Sequence, residues 1–274
     1  MTSMMKMTQK TIIQLILLII SGIYIVPVWL VLVNSLKVTD EANKYYISLP
    51  AKFEFINYKL VIETGNVIRS FFNGLFIAVV VGVIAVIFAA IAAFYIARVS
   101  NGFSRFAYNY FISGLIIPIA IVPTYFALLI MQLNNTYLGL ILVFVAYTMP
   151  LSIFLYTGFI KTIPTEIDEA AIIDGCSGLN VFARVIFPLL APVTTTVIVF
   201  NFIGVWNDVP TFLYFAGGDK WSLPMTVYLF FGKYNQSWNL VFADIIITII
   251  PCLLIYLFGQ KYVVSGMTAG AVKG

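Results

Sequence analysis

The chain has 274 residues, of which 62% are apolar and only 9% charged, and its mean hydropathy is +1.03. Soluble domains run to roughly half apolar and a quarter charged, so the composition excludes an ordinary soluble fold and predicts one all-α domain of membrane-crossing helices with modest loops. A net charge of +4 does not suggest nucleic acid, and the absence of histidine removes imidazole metal ligands and the commonest general base.

Cys176 and Cys252 lie far apart in sequence and expected depth, which argues against a disulfide or a cysteine metal site.

In chain order, Lys6 and Lys10 precede an uncharged run from Ile12 to Val33, long enough to cross a hydrocarbon core of roughly 30 Å. It exceeds the apolar region of a signal peptide, and no small-residue cleavage site follows. The first span is placed at about 12–34, with the N-terminus cytoplasmic. Residues 37–69 form a polar loop with mixed charge, Pro50 and scattered aromatics (Tyr45, Tyr46, Phe53, Phe55, Tyr58). These rings suit either an interfacial belt or a docking surface for an external partner.

The second span covers 70–97. Gly74, Ala78 and Gly82 recur every four residues, as do Ala85, Ala89, Ala93 and Ala97. Such small-residue ridges let helix backbones approach closely where no hydrophobic effect drives association, so this helix is expected to be the most tightly packed of the bundle. After Arg98 and Arg105 the chain runs uncharged over 106–160. Asn134-Asn135-Thr136 supplies a turn, giving spans at 107–131 and 138–160. Pro118, Pro123 and Pro150 interrupt them, which neighbouring helices tolerate by satisfying the freed carbonyls. The fifth span is placed at 192–216 and the sixth at 241–260, with Pro251 inside it and a polar, glycine-rich tail at 261–274. Six spans put both termini on one side. Under that topology eight Lys/Arg lie inside and seven outside, so charge counting supports the orientation only weakly.

Between the fourth and fifth spans lies a polar island at 161–188. It carries Glu166, Asp168, Glu169 and Asp174, four of the eleven carboxylates. Pro164 and Thr165 read as a helix start, the first-turn acids complement the helix dipole, and Gly175 reads as the stop. A second short helix is expected from Asn180 to Phe187, ending at Pro188. On these grounds alone the island is either a well-capped interfacial helix or a docking element.

Glu169-Ala170-Ala171, three residues, Gly175, nine residues, then Val185-Ile186-Phe187-Pro188 resembles the EAA loop of ABC importer permeases. There the pattern reads EAA, three residues, G, nine residues, I-x-L-P; Val185 and Phe187 here are apolar replacements. The tail from Val264 to Gly274 is similar to the C-terminus of the maltose-type, MalG-like permease subunit. The resemblance implies a type I importer fold and a bacterial or archaeal cell membrane, with the loop and both termini in the cytoplasm. It implies a second, homologous permease, two ATPase subunits, an extracytoplasmic solute-binding protein and a sugar. It makes Glu169 the ATPase contact, with Ala170, Ala171, Asp174, Gly175 and Pro188 shaping the coupling loop and Thr268, Gly270 and Lys273 in an ATPase-contacting tail.

No G-x-x-x-x-G-K-[ST] stretch occurs, so ATP is expected to be bound by partner subunits, and the chain needs no cofactor and is no enzyme. Polar groups in a span tend to face a cavity or a partner, which makes Asn201, Trp206, Asn207 and Asp208 candidates for the substrate pathway. Asn201 and Asn207 are about 120° apart around a helix, and Trp206 and Asp208 read equally as interfacial anchors. A related importer of a non-sugar such as a glycerol phosphate ester fits the same signatures. An ion-coupled six-span transporter or an intramembrane enzyme fits poorly, because the span centres carry no ionisable residues.

Overall fold

The computed structural model describes the backbone of residues 2–118, 120–231 and 237–271, and the side chains of residues 10–118, 120–231 and 237–260. In chain order its helices are α1 (Thr2–Asn34), α2 (Thr39–Ala42), α3 (Ile56–Thr64), α4 (Val67–Arg98), α5 (Gly102–Ser113), α6 (Ile121–Ile130), α7 (Tyr137–Ile160), α8 (Glu166–Ile173), α9 (Gly178–Asn180), α10 (Phe187–Leu189), α11 (Ala191–Asn207), α12 (Val209–Phe215), α13 (Val227–Phe230) and α14 (Trp238–Ala271). A π-helical turn, Val181–Ile186, joins α9 to α10. Among the described residues four helices are long and apolar enough to cross a membrane: α1 from Lys10, α4, α7, and α14 to Gln260. The segments 178–189 and 191–207 make a fifth candidate as a pair bent by 77°.

The remaining apolar stretch, expected as one span over 107–131, is divided into α5 and α6, with residues 114–120 between them. Two causes are local. Pro118 disfavours helical backbone at the residue before it, and Gly114 backs onto α7 so closely that a Cβ there would lie 2.8 Å from Pro150 Cγ. Pro150 itself stays inside an unbroken α7. The fifth span is also shorter than expected, since α11 ends at Asn207 and α12 starts afresh after Asp208. At the other end, the helix of the sixth span continues through the glycine-containing tail to Ala271.

The chain forms two compact units, one of residues 1–68 and 226–249 and one of residues 69–225 and 250–274. In the first, residues 37–69 are not an open loop. Asn57 Nδ2 donates to the carbonyls of Ser35 and Lys37 at 2.8 and 2.9 Å, and Asn57 Oδ1 accepts from Asn239 Nδ2 at 2.8 Å. The buried Lys37 ammonium donates to the Tyr46 carbonyl at 2.7 Å and to Asn34 Oδ1 at 3.1 Å. Buried polar groups need such partners, and here they tie the end of α1 to α3 and to the start of α14.

The second unit holds the long helical core. The small residues of α4 do face inward, with Ala78, Ala85, Ala89 and Ala93 all but fully buried. Yet α7 is the more enclosed helix, with half of its most apolar stretch buried against a third of that of α4. The reason is that α7 packs on both α11 and α5. It is joined to α11 by two polar contacts, Asn201 Nδ2 to Ser152 Oγ at 3.2 Å and Tyr156 Oη to Thr194 Oγ1 at 3.0 Å. Such interhelical hydrogen bonds are the glue of helices in lipid.

Candidate functional site

Two regions of the second unit carry the candidate residues. The first follows α7, whose C-terminus at Ile160 leads through Thr162 and Pro164 into α8. Thr165 precedes α8 but makes no side-chain cap; the first turn instead carries Glu166, Asp168 and Glu169, which complement the positive helix end. The helix ends as the sequence predicts. Gly175 has φ +86°, a left-handed backbone that favours glycine. Its N–H reaches the Ile172 carbonyl at 2.9 Å while that of Cys176 reaches the Ala171 carbonyl at 3.0 Å, the paired bonds of a Schellman stop.

The helix has two faces. Ala171 is buried in the core cluster with Ala89, Ala90 and Ala93 of α4, Ile153 and Ile160 of α7, and Val181 and Ile186 of the following turn. Ile167 packs against the same cluster. The opposite face presents Glu169 and Ala170, flanked by Ile172 and Ile173, which are 59% and 85% exposed. A carboxylate set among bare isoleucines has the chemistry to meet an apolar groove that contains a cation. Asp174 and Pro188 are exposed as well. Pro188 lies inside α10, which runs on to Leu189, so the second short helix of the loop does not stop at the proline.

Asp168 takes neither face fully. It forms an ion pair with Arg98, the last residue of α4, and both side chains are largely enclosed. The same guanidinium donates through Nη1 to the carbonyls of Ile163 and Ile160, at 3.1 and 3.4 Å. In the sequence Arg98 stands out only as a charge shortly before the long uncharged run. The pairing joins residues 70 positions apart, and no local pattern announces it.

The second region lies around the α11–α12 break. Asp208 caps α12, its Oδ1 accepting from Thr211 N at 2.8 Å. Asn207 is exposed, with Nδ2 donating to the Ile203 carbonyl at 3.0 Å and lying 3.5 Å from Cys252 Sγ. Both line an open cleft of about 680 Å³ with Pro118, Ile121, Tyr147 and Gly204. The other two pathway candidates point elsewhere. Trp206 is fully buried, stacked on Phe202 with ring centroids 5.5 Å apart and edge-on to Phe71 at 5.8 Å. Gly74 of α4 passes beside its ring, so that a Cβ there would lie 3.3 Å from the indole. Asn201 is buried on Ser152. The cleft therefore gathers Asn207 and Asp208 and leaves Asn201 and Trp206 in the packing.

Of the tail candidates, the backbone of α14 includes Thr268 and Gly270. Their side chains, and Lys273 altogether, lie outside the described residues.

Comparison with known proteins bears on the family and the fold. The sequence profile of the family described as "binding-protein-dependent transport system inner membrane component" matches residues 85–268. The chain is 33% identical over 273 residues to the probable starch degradation products transport system permease protein AmyC of Thermoanaerobacterium thermosulfurigenes, covering 97% of each chain. It is 33% identical to the melibiose/raffinose/stachyose import permease protein MelC of Bacillus subtilis, covering 96% of each. In fold it is similar to a chain of a bacterial ABC transporter involved in the import of the acidic polysaccharide alginate. The TM-score is 0.77 at 20% identity, over 92% of this chain and 96% of that one. An all-helical bundle with an exposed, carboxylate-bearing helix between its fourth and fifth apolar segments, matched by that profile over most of its length, belongs to the binding-protein-dependent transport system inner membrane components, the permease subunits of ABC importers.

Proposed function

We propose that this permease forms half of the translocation pathway for a sugar or oligosaccharide and takes its energy from separate ATPase subunits through α8. Among relatives matched over nearly their whole length, AmyC and MelC are named for starch degradation products and for melibiose, raffinose and stachyose. The observation that carries the coupling role is the exposed Glu169–Ala170 face of α8, backed by Ala171 in the bundle core. Glu169 enters a cleft of the ATPase and meets a basic residue there. Asp174, Gly175 and Pro188 set the direction in which the loop leaves and re-enters the bundle. ATP binds in the partners, since this chain encodes no phosphate-binding loop. The tail bearing Thr268, Gly270 and Lys273 reaches the same partners, which places it, α8 and both termini in the cytoplasm.

The remaining partners are a homologous second permease and an extracytoplasmic binding protein that delivers the solute. Within this chain Asn207 and Asp208 are the pathway residues, because they line a cleft that combines an amide, a carboxylate and the Tyr147 ring. Amide and carboxylate groups beside an aromatic ring suit sugar hydroxyls and ring faces.

The test is reconstitution of the complete importer in liposomes, with raffinose and a malto-oligosaccharide as probes. Glu169→Ala is expected to lower ATP-driven uptake at least about tenfold, within the range of typical coupling free energies, while the protein inserts normally. Full ATP-driven uptake by that variant refutes the coupling role.

A further inference from the structure

Arg98 sits where three elements end. It is the last residue of α4, its guanidinium donates to the carbonyl of Ile160, the last residue of α7, and to that of Ile163 in the turn that follows, and it pairs with Asp168 on α8. The last carbonyls of a helix lack intrahelical partners and carry the negative end of its dipole, so a cation there is doubly favoured. Asp168 lies in the first turn of α8, where the dipole favours a carboxylate. The pair is withdrawn from solvent, with side-chain exposures of 12% and 14%, so salt screens it far less than a surface pair. A planar guanidinium spreads five donors over three nitrogens in a fixed fork, which holds a carboxylate and two carbonyls in one geometry better than the single, mobile nitrogen of a lysine.

The position matters as much as the chemistry. Asp168 immediately precedes Glu169, so the two carboxylates point to different sides of the helix. One is held by the bundle and the other is exposed. A force applied to the Glu169 face reaches α4 and α7 through Arg98, together with the packing of Ala171 and Ile167 on the same helices.

We infer that Arg98 is a positioning residue for coupling: its links to Asp168 and to the Ile160 and Ile163 carbonyls make α8 move as one body with the ends of α4 and α7. This rests on α8 being the ATPase contact. It assigns the rigid link within this chain and concerns residues that need not touch the ATPase.

The test uses the complete importer in nanodiscs, with Cys176→Ser and Cys252→Ser removing the native thiols. Spin labels at the exposed Glu166→Cys on α8 and Ser100→Cys just beyond α4 report their separation without nucleotide and in the ATP–vanadate-trapped state. With Arg98 and Asp168 intact, one narrow distance is expected in both states. Asp168→Asn, which keeps shape and removes charge, and Arg98→Gln are each expected to broaden that distance and to lower stimulation of ATPase activity by the binding protein about tenfold. Arg98→Lys should fall between. Combining Arg98→Gln with Asp168→Asn should cost little more than either alone, because both remove one link.

Glu169→Ala should lower stimulation while the α8–α4 distance stays narrow. If Glu169→Ala has no effect, the coupling role of α8 is what fails. If Glu169→Ala lowers stimulation but the Arg98 and Asp168 variants leave it intact, with or without broadening, the inference is overturned. Lost stimulation with an unchanged distance overturns it too, since Asp168 would then act outside this link.

Discussion

Gly114 and Pro150 meet at the point where the third apolar stretch breaks: a Cβ on Gly114 would lie 2.8 Å from Pro150 Cγ and 3.1 Å from the Phe111 carbonyl. Neither neighbour yields cheaply, because one is a ring and the other is backbone. Gly114→Ala is therefore expected to destabilise the protein by about 1–3 kcal/mol, the range for overpacking a fitted site. Gly82→Ala is the control, since a Cβ there meets nothing within 4 Å and alanine favours helix by about 1 kcal/mol over glycine. Thermal unfolding of the two variants in detergent should fall on opposite sides of the unsubstituted protein.

Trp206 and Asn207 are adjacent in sequence and opposite in role. Trp206 is buried between Phe202, Phe71 and Gly74, so Trp206→Ala should cost about 3–5 kcal/mol, as for other large core truncations, and lower the amount of folded protein. Asn207→Ala leaves the core untouched and should change stability by under about 0.5 kcal/mol while altering sugar uptake. Asn201→Ala should lie between, at about 0.6–2 kcal/mol, the range for interhelical hydrogen bonds in lipid. Melting curves paired with uptake rates separate the three.

Asp219 lies outside the membrane-spanning segments, between Lys220 at 2.9 Å and Arg69 at 3.4 Å. The hydrogen bond from Lys220, helped by the charges of Lys220 and Arg69, holds its carboxyl below the ordinary value of 3.8. A carboxyl lowered on folding contributes stability that is present above 3.8 and is lost as pH falls towards its lowered value. Asp219→Asn should therefore lower stability by a constant amount through the neutral region and converge with the unsubstituted protein below about pH 4, where that contribution is lost. A uniform loss at all pH values would instead assign Asp219 a packing role.

The long helices were legible because uncharged runs in this chain are long enough to span a bilayer, and α4 and α7 lie within a few residues of their expected bounds. The stop of α8 was legible because glycine at that spacing has one conformational use, and Gly175 adopts it. The division of the third stretch was not, because Pro118 and Pro123 mark an interruption without saying whether a helix kinks or ends. That choice depends on the fit of Gly114 to Pro150, across residues distant in sequence. Trp206 reads from sequence as an anchor at the membrane surface, because tryptophan beside asparagine and aspartate has the composition of an interface. Only the pairing of α11 with α4 shows the ring enclosed. The Arg98–Asp168 pair was hidden for the same reason.

Asp208 combines two functions that substitution can separate. Its Oδ1 caps α12 through Thr211 N, and the side chain also borders the cleft with Asn207. Asparagine caps a helix about as well as aspartate does, whereas alanine loses about 1 kcal/mol. Asp208→Asn should therefore keep the melting temperature while changing the affinity for sugar, because a carboxylate accepts stronger hydrogen bonds than an amide. Asp208→Ala should lose both. If Asp208→Asn transports raffinose and a malto-oligosaccharide with unchanged concentration dependence, the charge has no part in the pathway. Asp208 would then be a cap alone, with Asn207 and Tyr147 among the groups of this cleft that remain to meet the solute.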